Sequence, residues 1–278
     1  MIAKILVPTD FSERAENALR VAADLAIKNK AEIHLLHMLD LPMTLVDGPA
    51  GTIRSDLPEA IFFMKLAHKK FEKITNASFL KDITVHEAAA FNTASKGIID
   101  YASKNKIDIT IMGSHGDSGL HEFFIGSNAE KVVRNSTIPV LIIKKRHDYF
   151  NMSNFLYATD FKEENHNAFR QAIAFARDNN IKIHLLYVNT PSNFKTTLQI
   201  ENIMNTFMNK ESQVSDYTLN IYNDNSLESG ILHFAEATKA DIVGIGTHGR
   251  KGIAHFLNGS LSEGLVNHAQ RPVITFRI

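Results

Sequence analysis

Short apolar runs alternate along the chain with segments of helical periodicity. Residues 5–9 and 33–39 are runs of strand-forming residues, and apolar residues recur at helical spacing between them, after the N-cap residue Ser12. The same pattern predicts strands at 85–90, 107–112 and 140–143, and helices at 58–76, near 98–102 and at 127–135. Alternating strands and helices predict parallel pairing, and continuous apolar runs indicate a sheet covered on both faces.

This pattern occurs twice. Residues 4–11 align with 154–161, residues 32–38 with 182–188, and residues 111–116 with 244–249. The second copy is 17 residues shorter, and the deletion lies between its second and third strands. The repeat predicts two domains, at residues 1–146 and 151–278, with a charged seam near 144–152. It also predicts that the two copies pack together like a fused dimer.

Charge and cysteine content narrow the classes of function. The 30 basic and 30 acidic residues balance to a formal net charge of zero, which argues against a nucleic-acid-binding or polybasic membrane-surface protein. The absence of cysteine excludes disulfides and thiolate metal sites. No apolar stretch approaches the roughly 20 residues of a membrane span, and no signal-peptide pattern opens the chain. The sequence therefore predicts a soluble, cytoplasmic protein.

Two glycine clusters with identical spacing are the strongest chemical signal. Gly113 and Gly116 follow the fourth strand, and Gly126 and Ser127 precede a helix; Gly246, Gly249, Gly259 and Ser260 repeat this arrangement. Glycines permit close backbone approach and positive φ, and helix N-termini attract anions, so the clusters predict phosphate sites. The alternative is that the glycines only shape tight turns. No phosphate-loop lysine motif is present, nor a dinucleotide-type glycine motif after the first strand.

An aspartate ends the first strand of each copy. Asp10 and Asp160 could accept hydrogen bonds from ribose hydroxyls, or they could only cap the following turn. If strands one and four are neighbours at a topological switch point, the aspartate and the glycine cluster share one crevice. That arrangement favours a nucleotide.

Taken together, these residues resemble the ATP-binding branch of the universal stress protein family. The resemblance rests on Val7-Pro8-Thr9-Asp10 and the duplicated glycine spacing, with a Pro-Val strand near the end of each copy, and it covers essentially the whole chain. It implies two tandem Rossmann-like (adenine nucleotide alpha hydrolase-like) α/β domains, each a five-stranded parallel sheet of order 3-2-1-4-5 flanked by helices. It also implies that strands 140–143 and 273–276 form the contact between the copies.

The family's ATP contacts can be carried over to matching positions. In the first copy these are Pro8, Thr9, Asp10, Met38, Met112, Gly113, His115, Gly116, Gly126, Ser127 and Asn128. In the second copy they are Ala158, Thr159, Asp160, Val188, Ile245, Gly246, His248, Gly249, Arg250, Gly259, Ser260 and Leu261. The resemblance implies ATP, ADP or AMP as ligand, with or without Mg²⁺. The copies differ beside the second glycine of each cluster, where Asp117 of the first copy corresponds in the alignment to Arg250 of the second. We therefore expect the two sites to differ in nucleotide binding.

Other side chains predict less. His34 and His37 are three residues apart on a strand and point to opposite faces, so the sequence predicts no metal site. The apolar residues Phe62, Phe63, Leu66 and Ile74 are predicted to face the core from their helix.

Three functions follow as hypotheses. The leading one is an adenine-nucleotide-binding sensor or regulator in a stress response, without rapid catalysis and without catalytic residues. The second is a slow ATPase or self-phosphorylating enzyme, for which Ser127 and Ser260 are the acceptor candidates and only the loop histidines could act as base. The third is a nucleotide-free interaction scaffold, in which the tandem sheets act as a built-in dimer. A homodimer of the whole chain is a separate expectation.

Overall fold

The computed structural model describes residues 2–39, 46–47, 52–53, 58–114, 126–147, 149–211, 216–247, 265 and 268–278. Strands and helices alternate through both copies, as the pattern predicts. The first copy contains β1 (Lys4–Pro8), α1 (Glu13–Asn29), β2 (Glu32–Leu39), β3 (Val46–Asp47), β4 (Thr52–Ile53), α2 (Pro58–Thr75), β5 (Val85–Phe91), α3 (Ala94–Lys104), β6 (Ile109–Gly113), α4 (Ser127–Asn135) and β7 (Val140–Ile143).

The second copy repeats this order. It contains β8 (Asn154–Ala158), α5 (His166–Asp178), β9 (Lys182–Asn189), α6 (Thr197–Met208), β10 (Tyr217–Asn223), α7 (Leu227–Ala237), β11 (Ile242–Thr247) and β12 (Val273–Arg277). Part of the predicted deletion falls in a helix, since α2 has 18 residues and its counterpart α6 has 12. The small β3–β4 hairpin follows β2 in the first copy, within the longer segment between its second and third strands.

One sheet of ten strands runs through both copies, in the order β10-β9-β8-β11-β12-β7-β6-β1-β2-β5. Within each copy all neighbouring strands of this sheet are parallel, and the strand order is the predicted 3-2-1-4-5. The copies meet where β7 and β12 pair antiparallel, with Leu141 opposite Ile274. These are the two strands that the family resemblance assigned to the contact.

Helices cover both faces of this sheet. On one face α1, α2, α5 and α6 bury a core that extends across both copies, with fully buried Phe71 and Phe169 among its members. The opposite face packs against α3 and α4 in the first copy and against α7 in the second. Burial on both faces explains why the strands are apolar throughout rather than alternating.

The predicted core face of α2 is wrong for two residues. Phe62 and Leu66 keep 63% and 43% of their surface exposed. Ala67 and Phe71, four residues apart on one side of α2, face the core instead. Ile74 does pack against this core, although it is only partly buried.

Candidate functional site

The turn after β1 opens one side of the candidate site. Asp10 is exposed, and its Oδ1 accepts hydrogen bonds from the backbone N–H of Ser12 (3.0 Å) and from the Ser12 hydroxyl (2.5 Å). The predicted turn-capping role of Asp10 is therefore present. Phe11 has a left-handed backbone, with φ of 67°, and Phe161 repeats this with φ of 55°. A bulky residue in that region is costly, so surrounding contacts must hold this turn in both copies.

Gly113, at the end of β6, allows a close helix contact. A Cβ atom there would lie 2.9 Å from the backbone oxygen of Arg14 in α1. Glycine is required at 113 by this close approach of strand and helix and not by a positive φ. Gly126 does not use the positive φ that glycine permits either, since its φ is −62°.

Gly126 is the N-cap of α4. Its N–H donates to the Ser114 carbonyl (2.6 Å), which joins the end of β6 to the start of the helix. Because glycine has no side chain, the first turn of α4 receives no side-chain cap, unlike α1, where Ser12 accepts from the N–H of Ala15. The first amides of a helix have no partner within the helix and carry partial positive charge, so this helix start can accept an anion.

A cleft of about 360 Å³ lies between these elements. It is lined by Pro8, Thr9, Asp10, Ala15, Leu36, His37, Met38, Ala94, Ile98, Met112, Gly113, Ser114, Gly126, Ser127, Asn128 and Ala129. Every predicted site residue of the first copy that the structure describes is in this set. His115 and Gly116, like Asp117, lie outside the described residues.

The cleft also contains residues that the sequence did not single out. Leu36 and Ile98 are buried apolar residues of its floor. His37 lies on its wall, where its Nδ1 is 2.8 Å from the Thr9 carbonyl and its ring contacts Phe11. Only Leu36 carried a usable signal, because it precedes the predicted contact Met38 by two residues and therefore shares its face of the strand.

A helix glycine supports the same position in both copies. A Cβ on Gly97 of α3 would lie 2.3 Å from the terminal methyl of Met38, and a Cβ on Gly230 of α7 would lie 2.5 Å from a methyl of Val188. Each glycine thus lets the helix pack directly onto the second-strand residue of its copy. Neither glycine was predicted from the sequence. The signal was present, because Gly97 and Gly230 occupy equivalent positions before the aligned glycines Gly113 and Gly246.

Most of the predicted second-copy residues that the structure describes are buried. Ala158, Asp160, Val188 and Ile245 are all buried, and Gly246 packs near Ile278 and Ala168. Thr159 is half-buried. The remaining predicted residues, His248, Gly249, Arg250, Gly259, Ser260 and Leu261, lie outside the described residues. A complete second site is therefore not among the described features.

Asp160 is engaged by its own copy. It is 5% exposed, Asn165 donates a hydrogen bond to its Oδ1, and the Lys162 ammonium lies 3.0 Å from its Oδ2. The corresponding neighbours of Asp10 are Ser12 and Ala15, and Ala15 has no polar side chain to reach the carboxylate. The two aspartates, identical in the sequence repeat, thus have different environments.

Comparison with known proteins agrees with the repeat and the fold. The model of the Universal stress protein family matches residues 1–144, 152–215 and 223–277. Universal stress protein MJ0577 of Methanocaldococcus jannaschii is 34% identical over 158 residues, which cover 53% of this chain and 98% of that protein. Universal stress protein YxiE of Bacillus subtilis is 28% identical over 150 residues, which cover 52% of this chain and all of YxiE.

A solved structure extends the likeness to the full length. The crystal structure of a universal stress protein from Archaeoglobus fulgidus superposes with a TM-score of 0.71 at 21% identity and covers 99% of this chain and 96% of its own. At that identity the likeness shows a shared fold. Within the described residues, no helix is long and apolar enough to cross a membrane. With the family pattern matched in both halves, this chain belongs to the universal stress protein family, as a tandem member.

Proposed function

We propose that the first copy binds an adenine nucleotide, and that the protein acts as a nucleotide-dependent regulator in a stress response. The observation that carries this proposal is the convergence of separate chain segments on one cleft. The ends of β1, β2 and β6 line it together with residues of α1, α3 and the start of α4, which is where ligands bind in open parallel sheets.

The floor of the cleft suits a flat apolar group. Leu36, Ile98 and Met112 are buried beneath it, and Met38 is half-buried at its side. Ligand sites combine such apolar lining with a few polar groups that fix orientation. An adenine base is the part of the nucleotide that this floor would accept.

The rim supplies the polar groups. Asp10 is exposed at the cleft and offers carboxylate oxygen to ribose hydroxyls, and the uncapped start of α4, with the Ser127 hydroxyl, offers donors to phosphate. Carboxylate and hydroxyl oxygens beside phosphates are also what Mg²⁺ prefers, so Mg²⁺ with ATP is part of this proposal. The proposal covers AMP, ADP and ATP alike.

The second copy is proposed as the weaker site. Burial of Asp160 by Asn165 and Lys162 leaves its carboxylate less accessible to a ribose than that of Asp10. We further propose that residues 1–146 and 151–278 act as a fused dimer, which the pairing of β7 with β12 supports. A homodimer of the whole chain and a cytoplasmic location remain predictions from the sequence.

Ser127→Asp tests nucleotide binding while favouring the fold. An acidic residue in the first helical turn stabilises a helix, but here it would stand where phosphates are proposed to bind. A unit charge pair about 4 Å apart in water is worth roughly 1 kcal/mol. We expect ATP affinity, measured by calorimetry on the full chain, to fall about tenfold or more.

Ser226→Asp is the matched control. Ser226 is the N-cap of α7, so the same charge is added at a helix start outside the first cleft, and titration of the first site alone, with the second site blocked by Gly249→Val, gives the comparison. Unchanged ATP affinity in a folded Ser127→Asp variant would sink the proposal. ATP turnover by the same proteins separates a regulator from the slow ATPase or self-phosphorylating enzyme. If the wild-type protein binds no ATP, the interaction scaffold is favoured instead.

A further inference from the structure

Three metal-ligating side chains meet away from the cleft. Glu32 and His34 lie at the start of β2, and His86 lies directly opposite His34 on the neighbouring strand β5. One ligand atom from each of the three lies within 4.8 Å of the others. Since β2 rises about 3.3 Å per residue, His34 is about 7 Å along the strand from Leu36, the nearest cleft residue of β2, and Glu32 is about 13 Å from it.

The spacing of the ligand atoms fits a small cation. Glu32 Oε1 is 3.2 Å from His34 Nε2, and Glu32 Oε2 is 3.2 Å from His86 Nε2. Zn²⁺ takes imidazole nitrogen and carboxylate oxygen at about 2.0–2.2 Å in a tetrahedron, which places ligand atoms roughly 3.4 Å apart. The ligand atoms lie within 4.8 Å of one another, so side-chain movements of up to about 1.4 Å would place three ligands around one ion, with water as the fourth.

The orientation of His34 is fixed from behind. Its Nδ1 lies 2.9 Å from the hydroxyl of Tyr101 in α3, and its side chain is 8% exposed. Metal-binding histidines typically use their second ring nitrogen in this way, which sets the tautomer and aims the other nitrogen at the metal. His86 and Glu32 are more open, at 48% and 29% exposure, so an ion can enter from solvent.

Among the residues that the structure describes, Lys4 is the group beside the cluster that opposes a cation. Its ammonium lies 3.1 Å from Glu32 Oε1 and competes for the carboxylate. The Lys4 side chain is 39% exposed, so it can turn into solvent when an ion binds. Without an ion, Lys4 and the two histidines simply pair with Glu32, and the experiment must separate this ion-pair cluster from a metal site.

The second copy provides a natural comparison. At the positions of Glu32, His34 and His86 it has Lys182, His184 and Thr218. His184 Nδ1 lies 2.9 Å from the Thr218 hydroxyl, and no carboxylate takes the place of Glu32. The full ligand set is thus present in one copy of the repeat.

We propose that Glu32, His34 and His86 bind one divalent transition-metal ion, for which Zn²⁺ is the best match. Two imidazoles and one carboxylate with an open fourth position are a ligand set that Zn²⁺ accepts in proteins. The site is independent of the proposed nucleotide cleft, because it shares no residue with it.

The test is a titration of the metal alone. The full-length protein is stripped with a chelator, and Zn²⁺ is added in competition with a chromophoric chelator. We expect one tight site per chain. His86→Thr, which installs the residue of the second copy at an exposed edge position, should weaken it at least about tenfold because one of three protein ligands is lost. His184→Ala is the matched control and should leave the site unchanged.

Two further variants keep the outcome decisive. Lys4→Gln removes the opposing charge and should tighten Zn²⁺ binding by about tenfold. The reason is that a divalent ion is repelled by the Lys4 ammonium twice as strongly as a monovalent ion would be. Glu32→Gln should also weaken Zn²⁺ binding. This second variant keeps the test decisive if circular dichroism shows that His86→Thr does not fold. The proposal is overturned if wild type binds no stoichiometric Zn²⁺, or if Glu32→Gln and His86→Thr bind it as wild type does.

Discussion

Asn165 donates a hydrogen bond from Nδ2 to Oδ1 of Asp160 at the end of the first strand of the second copy. Both side chains are buried, at 6% and 5% exposure. In the first copy the position of Asn165 holds Ala15, and Asp10 stays exposed at the cleft. The carboxylate of Asp160 is thus buried against Asn165, whereas that of Asp10, which accepts hydrogen bonds from Ser12, stays exposed at the cleft.

A reciprocal exchange of these neighbours should exchange the behaviour of the two copies. Ala15→Asn places an amide beside Asp10 and should weaken ATP binding by the first copy about tenfold, because a charged hydrogen bond of roughly 1.5–3 kcal/mol must be broken. Asn165→Ala removes the amide partner of Asp160 and leaves Lys162 in place, so it should strengthen nucleotide binding by the second copy in part. Calorimetric titration of both variants measures this. Equal ATP affinity in Ala15→Asn and wild type would contradict it.

The charge difference beside the second glycine predicts a difference in ligand preference. Arg250 in the second copy and Asp117 in the first lie outside the described residues, so this prediction rests on the sequence. Each added phosphate should gain from the arginine and lose from the aspartate, so the second copy should prefer ATP over AMP more strongly. Titration of both nucleotides into Asp117→Arg and Arg250→Asp tests it. If neither exchange alters the preference of its own copy, both side chains point into solvent.

Gly113→Ala should be strongly destabilising. The added methyl would lie 2.9 Å from the Arg14 carbonyl, and backbone cannot turn aside as a side chain can. Overpacking of this kind costs about 1–3 kcal/mol in unfolding free energy. Gly97→Ala is the instructive comparison, because its methyl would meet the flexible Met38 side chain and alanine favours a helix. Urea denaturation should show the larger loss for Gly113→Ala, and equal losses would argue against a backbone clash.

The two copies should unfold together in one cooperative transition, because they share the β7–β12 strand pair. Ile274 is fully buried on β12 and lies opposite Leu141 of β7 in the antiparallel pair. Ile274→Ala should cost about 2–5 kcal/mol through lost burial and the cavity left behind. We expect a single thermal transition that moves to lower temperature, because the core on one face extends across both copies. Two separated transitions in calorimetry, with one unmoved, would show that the copies are uncoupled.

Acidification should weaken the fold through His184. Burial, reinforced by the charge of Lys182, lowers the pKa of His184 below its ordinary value of 6.5, while Asp216 acts in the opposite direction. The unfolded chain then binds this proton more readily than the folded protein. Stability is therefore present above about pH 6.5 and is lost as the pH falls through the lowered folded-state pKa.

His184→Gln isolates this contribution. Its loss of unfolding free energy between pH 7.5 and pH 5, measured by urea denaturation, should be smaller than that of wild type. His68→Gln, at a side chain that is 63% exposed, serves as the control. A pH dependence identical in His184→Gln and wild type would assign the effect to other groups.

The sequence by itself determined the elements, the repeat and the strand order expected of the family. The elements and the repeat follow from local periodicity and from alignment of the copies, both of which can be read along the chain. The strand order was implied by the resemblance to the family. It also named, for the first copy, residues such as Asp10, Met38 and Ser127, which the structure places on one cleft. The sequence did not predict which face of α2 is buried. Phe62 and Leu66 are apolar as Phe71 is, and only packing against the sheet selects between the helix faces.

Tertiary structure alone decided the contacts that depend on register and side-chain direction. His34 and His86 are 52 positions apart and meet because β2 and β5 pair in a register that the hydrophobic pattern does not specify for individual polar residues. The burial of Asp160 by Asn165, and the approach of α1 to Gly113, likewise depend on how helices settle on the sheet. Periodicity is a local property of the chain, whereas these contacts come from long-range packing, which no short window of sequence contains.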